Sequence, residues 1–126
     1  VLDGTRVLGK PEHDRSAVEM LISLAGREHV VLSGIALAGP HGVASRVSET
    51  TVRFRAFSED AARAYVATGE PLDKAGAYGI QGMGAALVAA IDGDYYSVMG
   101  FPMDAFVNVL LEAGWRYDFG SLTPTT

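Results

Sequence analysis

The sequence contains no cysteine, so neither a disulfide framework nor a thiolate metal site can form. It also has no apolar run near the ~20 residues of a transmembrane helix, and its first residues lack the basic and apolar regions of a signal peptide. These absences favour a cytoplasmic location. The formal net charge of −5 offers no counter-charge to a nucleic-acid backbone or an anionic membrane, so we expect neither as a main partner.

The composition is that of an ordinary globular domain. Hydrophobic residues make up 48% and charged residues 20% of the 126 positions, which is enough for one buried core. No repeat, linker or low-complexity block divides the sequence, so we expect a single domain over residues 1–126. The chain opens on a strand-like run without an initiator methionine. We therefore expect the numbering to begin inside a domain that is N-terminally incomplete.

Alternating hydrophobicity and turn residues predict the first elements. The Asp3-Gly4 pair between apolar residues predicts a tight hairpin. Asp14 is a good cap for the helix that follows, whose apolar residues recur at three-and-four spacing. A second, longer antiparallel hairpin is predicted to pair Val30–Ala38 with Val43–Phe57.

The second half of the chain predicts shorter elements. Ser58 caps a helix whose expected apolar face is Ala61, Ala64 and Tyr65. Residues 85–94 have the pattern of a central strand, residues 102–114 that of a helix, and residues 121–126 that of a polar, frayed tail. Helices and strands alternate irregularly around an antiparallel pair, which predicts an α/β or α+β fold with a mixed sheet.

Lys10 lies in the tripeptide Gly-Lys-Pro, where the first hairpin meets the first helix. An ammonium held near the surface by a stiff backbone suits a phosphate oxygen, because lysine acts as a compact point charge. Taken by itself, the tripeptide favours the simpler interpretation of a solvated lysine in a turn, since most lysines lie at the surface.

The stretch DKAGAYGIQG, residues 73–82, concentrates polar groups among glycines. Asp73 and Lys74 can hold a phosphate–metal cluster, the carboxylate on the metal and the ammonium on phosphate oxygens. Tyr78 offers an aromatic face and a hydroxyl, and Gln81 can read the edge of a base with a donor and an acceptor. Glycines could let a ligand approach backbone N–H groups: Gly76, Gly79, Gly82 and Gly84. Chemistry alone supports equally a loop in which the glycines only serve turns and the charges are solvated.

Other groups carry weaker signals. The histidines lack a metal-ligand spacing, and we place them in loops or at strand edges as solvated or hydrogen-bonded imidazoles: His13, His29 and His41. Glu49 could be a site residue, but its pattern favours a solvent-facing strand face. The pair Arg53 and Arg55 is expected on a solvent-facing strand face as well. A set of aromatic and methionine side chains favours core or a subunit interface over a cofactor site: Tyr95, Tyr96, Met99, Phe101 and Met103.

Several stretches occur together in order along the chain: LGKP, LAGREH, VLSGIAL, SETTVRF, YVATGEPLDKAGAYGIQG and YYSVMGFPMDAFVNVLLEAGW. From Val1 to Trp115 this set resembles the Maf family of nucleoside triphosphate pyrophosphatases, historically called septum formation proteins. The form DKAGAYGIQG is similar to the subgroup that acts on dTTP and UTP, and not to the subgroup that acts on 7-methyl-GTP.

The resemblance implies hydrolysis of dTTP, UTP or a related modified pyrimidine nucleotide to the monophosphate and pyrophosphate, with Mg²⁺ or Mn²⁺. It also implies homodimers and an α/β fold with an elongated mixed sheet and a cleft between two lobes, related to the inosine triphosphate pyrophosphatases. Lys10 matches the family's phosphate-contacting lysine, which makes it the candidate catalytic residue. Asp73 and Lys74 match a cleft-lining pair, Gln81 matches a position tied to base selectivity, and Tyr78 completes the expected substrate-binding set.

The sequence departs from the family at its start. The family begins with a phosphate-binding Ser-x-Arg turn, then a glutamate, a lysine and an Ala-Asp-Thr segment whose aspartate is taken as the catalytic base. Val1 matches the strand after that aspartate, so the chain corresponds to the domain without its N-terminal third. Hydrolysis by such a chain alone should be poor, because general-base catalysis is typically worth ~10²–10⁴-fold. The alternative function is a catalytically inactive nucleotide-binding or protein-interaction module of the same fold.

Overall fold

The computed structural model describes residues 1–40 and 42–125. Within this part of the chain, one sheet has five strands in the order β2-β1-β3-β4-β5, and a second sheet pairs β6 with β7. The strands are β1 (Leu2–Asp3), β2 (Arg6–Val7), β3 (Glu28–Gly39), β4 (Gly42–Phe54), β5 (Val88–Asp92), β6 (Trp115–Tyr117) and β7 (Leu122–Pro124). The helices are α1 (Asp14–Leu24), α2 (Glu59–Val66), α3 (Tyr95–Met99) and α4 (Met103–Glu112). The connection from α2 to β5 contains 3₁₀ turns at Glu70–Asp73, Ala75–Ala77 and Met83–Leu87.

The long hairpin of β3 and β4 is the longest regular feature of the fold. Its antiparallel register runs from Glu28 opposite Arg53 to Gly39 opposite Gly42, which confirms the predicted hairpin. Side chains alternate between the two faces because the strand repeat is two residues. Glu49, Arg53 and the following Arg55 are exposed, as the sequence predicts.

The main core lies where α1 and α2 pack against the first residues of β3 and the last residues of β4. Its largest fully buried apolar side chains are Leu21 and Leu24 from α1 and Val52 and Phe54 from β4. α1 is capped by His13 rather than by the predicted Asp14, because the His13 ring Nδ1 accepts a hydrogen bond of 3.1 Å from the Ser16 amide.

The buried face of α2 differs from the prediction. The residues that contact the core are Ala62, Tyr65 and Val66, whereas Ala61 and Ala64 are exposed. The predicted set and the observed set both fit a helical stripe, so spacing alone does not decide which face is buried. The larger apolar side chain of Val66 does decide, since it gains more from burial than a methyl group does.

Two further elements differ from the predictions. In the described part of the chain, β5 pairs only with β4 and is an edge strand, although its apolar run predicted a central one. Alanines dominate that run, and Ala89 and Ala90 are exposed. The C-terminal residues predicted to fray include β7, which pairs with β6 from Trp115 opposite Pro124 to Tyr117 opposite Leu122.

The α/β architecture predicted from the sequence is confirmed. All strand pairs among residues 1–40 and 42–125 are antiparallel, whereas a mixed sheet was expected. β1–β2 and β3–β4 are directly connected hairpins, and a hairpin connection forces antiparallel pairing. Among these residues, no helix has both the length and the hydropathy needed to cross a membrane.

A second group of helices packs beside the long hairpin. α4 contacts β3, β4 and β6, and α3 contacts β3 and β4. Four members of the aromatic and methionine set lie here with more than a third of their surface exposed, so the core interpretation is wrong for them: Tyr95, Tyr96, Met99 and Phe101.

Candidate functional site

A pocket of about 310 Å³ lies beside β3, between α3 and the segment that follows α2. One wall comes from the middle of β3, a second from the end of α3, and a third from the segment that follows α2. The last wall contains Lys74, Tyr78 and Gln81. Three of the five site residues predicted from the sequence therefore meet in one pocket.

Lys10 and Asp73 lie beside this pocket and are not among the residues that line it. The Gly76 amide donates a hydrogen bond of 3.0 Å to the Gly9 carbonyl, which joins the Lys10 loop to the segment that contains Asp73. Asp73 forms an ion pair of 3.0 Å with Lys74. The hydrogen bond from Lys74 and then its charge lower the pKa of the Asp73 carboxyl, and the Lys10 charge adds to this effect.

Lys74 connects this charged group to the pocket, because its side chain pairs with Asp73 and also lines the cavity. Its stem packs over Gly79, where a Cβ atom would lie 2.5 Å from Lys74 Cε. The charged group beside the pocket therefore contains the ammonium groups of Lys74 and Lys10 and the carboxylates of Asp73 and Glu70. Such a group can bind an anionic ligand such as a phosphate, since each ammonium acts as a point charge.

Tyr78 forms part of the pocket wall and is otherwise buried, with 5% of its surface exposed. Its hydroxyl lies 2.7 Å from His29 Nε2, and its ring packs edge-on against Phe54 with the centroids 4.7 Å apart. The hydroxyl that was expected to meet a ligand therefore has a protein partner. The contribution of Tyr78 to the pocket comes from its ring.

The partner is His29, which the sequence placed in a loop or at a strand edge as a solvated or hydrogen-bonded imidazole; the ring is hydrogen-bonded and buried, so the solvated alternative is wrong. It lies within β3 and is 2% exposed, and burial lowers the pKa of its imidazole to about 4. The ring is therefore neutral near pH 7, and Nδ1 has no hydrogen-bond partner among the described residues. His13 caps α1, as described above, and His41 lies outside the described residues.

The backbone turns sharply before Tyr78. Gly76 and Ala77 both have positive φ angles, +73° and +63°, and Ala77 is fully buried. An L-residue in this left-handed region costs roughly 1–2 kcal/mol because Cβ approaches the following carbonyl oxygen. Strain of this kind often marks a functional loop.

In residues 73–84, three glycine amides already have acceptors within the protein. The expectation that glycine amides of this segment bind a ligand is therefore wrong for these three. The Gly76 amide binds the Gly9 carbonyl, the Gly79 amide donates to the Tyr65 hydroxyl at 3.0 Å, and the Gly84 amide donates to Glu70 Oε2 at 3.0 Å. Gly82 and Gly84 are required for another reason. A Cβ atom on Gly82 would overlap the Glu70 carboxylate, and one on Gly84 would lie 2.5 Å from the Tyr65 hydroxyl oxygen.

Glu70 is the residue that sequence analysis missed. Its carboxylate accepts hydrogen bonds from the Tyr65 hydroxyl and from the amides of Met83 (2.9 Å) and Gly84 (3.0 Å). Burial alone would raise the pKa of this carboxyl, but these hydrogen bonds and the Lys74 charge together lower it. The sequence does show Glu70 directly before Pro71, in the same motif as the later Gly82 and Gly84. No local sequence pattern links residues that lie so far apart in the chain.

Among the described residues, no group of three or more histidine, aspartate or glutamate side chains could hold a metal ion. Asp73 nevertheless offers one exposed carboxylate with a lowered pKa beside two lysines. Mg²⁺ is commonly bound by one or two carboxylates together with substrate phosphates and water. The residues present fit such a shared, substrate-dependent site and do not form a dedicated protein cage.

The sequence model of the family described as "Maf-like protein" matches residues 1–113. A dTTP/UTP pyrophosphatase of Moorella thermoacetica is 55% identical over 102 residues, which cover 78% of this chain and 52% of that protein. The dTTP/UTP pyrophosphatase of Symbiobacterium thermophilum is 50% identical over 115 residues, covering 91% and 59%. That of Geobacillus sp. is 46% identical over 109 residues, covering 86% and 59%. The matches thus span between half and three fifths of each of these relatives.

Proposed function

Because the chain belongs to the Maf-like protein family, we propose that it acts as part of a nucleoside triphosphate pyrophosphatase for dTTP, UTP and related modified pyrimidine nucleotides. The reaction takes a nucleoside triphosphate and water to a monophosphate and pyrophosphate. The observation that carries the proposal is the meeting of Lys74, Tyr78 and Gln81 in one pocket, with the Lys10 loop hydrogen-bonded to the same segment. The relatives named as dTTP/UTP pyrophosphatases support the choice of substrate.

In this proposal the pocket binds the nucleoside. Its volume of about 310 Å³ lies at the lower end of ligand-binding cavities, which suits a base with its sugar better than a whole triphosphate. Gln81 is exposed within the lining, so its amide can pair with the polar edge of a pyrimidine. Tyr78 supplies a rigid aromatic wall, since its hydroxyl and ring are already fixed by His29 and Phe54.

The triphosphate then extends toward the charged group beside the pocket. Lys74 at the pocket edge and Lys10 on the neighbouring loop stabilise the negative charge that develops on phosphate oxygens, which makes Lys10 the proposed catalytic residue of this chain. Asp73 orients Lys74 through the 3.0 Å ion pair. A divalent metal, Mg²⁺ or Mn²⁺, would supply charge neutralisation and a more acidic water, with Asp73 as its protein ligand.

Two further properties are part of the proposal. The absence of cysteine supports a cytoplasmic location, because intracellular proteins seldom depend on disulfides. The exposed side chains of Tyr95, Tyr96 and Phe101 support a homodimer, because aromatic residues are enriched in subunit interfaces.

The test is pyrophosphate release by the intact protein from dTTP, UTP, CTP and purine nucleotides with Mg²⁺. We expect higher kcat/KM for dTTP and UTP, and we expect Gln81→Ala to reduce that preference about tenfold, the usual effect of losing one polar contact to a bound ligand. Asn108→Ala is the matched control, because Asn108 lies on α4 and bonds only to Asp104 among the described residues. Equal losses on every nucleotide would contradict the role of Gln81.

Calorimetry with a non-hydrolysable UTP analogue separates the enzyme from its alternative. Tight binding without pyrophosphate release from the intact protein would favour an inactive nucleotide-binding module. No binding of any nucleotide would contradict both the enzyme and the nucleotide-binding module, and only the protein-interaction form of the alternative would remain.

A further inference from the structure

We propose that Tyr65 and Glu70 are positioning residues that fix the Gly79–Gly84 segment and thereby determine how well Gln81 discriminates between bases. This inference rests on the proposed function, because it concerns the same pocket. Neither residue is among those that line the cavity. Their effect on a ligand would therefore act through the segment that they hold.

The hydrogen bonds of the two residues bracket Gln81. The Tyr65 hydroxyl accepts from the Gly79 amide at 3.0 Å, on the N-terminal side of Gln81. Glu70 accepts from the amides of Met83 and Gly84 at 2.9 Å and 3.0 Å, on the C-terminal side. The Tyr65 hydroxyl also donates to the Glu70 carboxylate, which joins the two anchoring points into one network.

The network rests on a rigid part of the fold. Tyr65 lies on α2 with 7% of its surface exposed and belongs to the main core, and Glu70 follows soon after the end of that helix. The hydroxyl and the carboxylate therefore have fixed positions before any ligand arrives. A side chain that reads a base needs such support, because an error of 1 Å in its position weakens selectivity.

The glycines of the segment match this network closely. Gly82 and Gly84 have no room for a Cβ atom because the Glu70 carboxylate and the Tyr65 hydroxyl occupy that space. A loop that only reversed the chain would not need glycine against those two groups. Gly79 packs against the stem of Lys74, so the same segment also supports the lysine that faces the phosphates.

The experiment compares Tyr65→Phe and Glu70→Gln in the intact protein, with Tyr117→Phe and Glu59→Gln as matched controls. Tyr117 is an exposed tyrosine in β6, and Glu59 forms an exposed ion pair with Arg63 on α2. For each variant, kcat and KM are measured separately with UTP and CTP. Tyr65→Phe keeps the buried ring, so it serves as the mild variant if Glu70→Gln folds poorly.

We expect the UTP-to-CTP ratio of kcat/KM to fall about tenfold in both test variants and to stay unchanged in the controls. Tyr65→Phe loses the buried hydrogen bond from the Gly79 amide, and Glu70→Gln weakens part-buried hydrogen bonds to the same segment. The kcat for UTP should change less than threefold. Hydrogen exchange at the amides of Gly79, Met83 and Gly84 should accelerate in the test variants only.

Three outcomes would overturn the inference. An unchanged UTP-to-CTP ratio together with faster exchange would show that the network supports the fold and not selectivity. Unchanged exchange at all three amides would show that the network does not hold the segment. If the unmodified protein itself did not distinguish UTP from CTP, the proposed function would fail first, and this inference would fail with it.

Discussion

The β3–β4 hairpin and the segment from Glu70 to Gly84 are neighbours in the fold but are stabilised in different ways. The hairpin is a regular ladder of main-chain pairs from Glu28 opposite Arg53 onward. In the segment, side chains hold the backbone, because the Glu70 carboxylate and the Tyr65 hydroxyl accept hydrogen bonds from its amide groups. The pairing of the hairpin strands therefore depends on many equivalent main-chain hydrogen bonds, whereas the position of the segment depends on a few specific side-chain atoms.

The difference extends to the glycines of the two regions. A Cβ atom on Gly34, in β3, would meet no atom within 4 Å, whereas one on Gly84 would overlap the Gly79 carbonyl and the Tyr65 hydroxyl. The space beside Gly34 in the hairpin is empty, whereas the space beside Gly84 in the segment is filled by groups of the protein itself. Substitutions at the two kinds of position should therefore have opposite consequences.

The largest expected effect lies at the contact between the two regions, where His29 of β3 meets Tyr78 of the segment. The pKa of the buried His29 is lowered to about 4 from 6.5, so the unfolded chain binds a proton before the folded chain does. The stability that the neutral His29 contributes is fully present above pH 6.5 and is lost as the pH falls toward 4. The expected loss in the free energy of unfolding is about 3 kcal/mol, measured by urea denaturation across that range.

His29→Phe is the variant that isolates this loss. It removes the titrating group and leaves the Tyr78 hydroxyl without its partner, so it should be less stable than the unmodified protein at pH 7. The difference between the two proteins should shrink as the pH falls from 6.5 toward 4. A difference that stays constant across this range would mean that His29 is not the titrating group.

The next effect tests the glycines directly. Gly84→Ala should lower the free energy of unfolding by about 1–3 kcal/mol, the usual cost of overfilling a packed site. Gly34→Ala, the matched change in the hairpin, should be neutral or slightly stabilising, because glycine in a strand interior costs roughly 0.5–1 kcal/mol relative to alanine. If urea denaturation showed the same change in the free energy of unfolding for both substitutions, the distinction between the two regions would be wrong.

The same contrast explains how much could be predicted from the sequence. The hairpin follows from alternating Val52, Phe54, Arg53 and Arg55, which is a local signal with a period of two residues. The helices were placed by their apolar spacing in the same way, and the errors there concern which face of α2 is buried and which residue caps α1. Local patterns determine where elements lie and leave such details to tertiary packing.

The candidate site was predicted by residue type and only partly by geometry. Lys74, Tyr78 and Gln81 meet as expected, but the Tyr78 hydroxyl binds His29, which is distant in sequence and adjacent only after folding. Glu70 was missed for the same reason, since its partners Met83 and Gly84 follow long after it. Hydrogen bonds between a side chain and a distant backbone leave no periodic signal in a sequence.

The smallest expected effect concerns the strained turn at Ala77, whose φ angle is +63°. Ala77→Gly removes the left-handed strain of roughly 1–2 kcal/mol but adds backbone freedom to the unfolded chain, which costs up to about 1 kcal/mol. Ala77 is also fully buried, so losing its methyl group costs about 0.8 kcal/mol, and the opposing effects together should change the free energy of unfolding by no more than about 1 kcal/mol in either direction. Urea denaturation measures this change, and Ala89→Gly, at an exposed strand position, is the control expected to lose stability. If both substitutions destabilised the protein equally, the turn at Ala77 would store no strain, and the contrast with the regular hairpin would rest on hydrogen bonding alone.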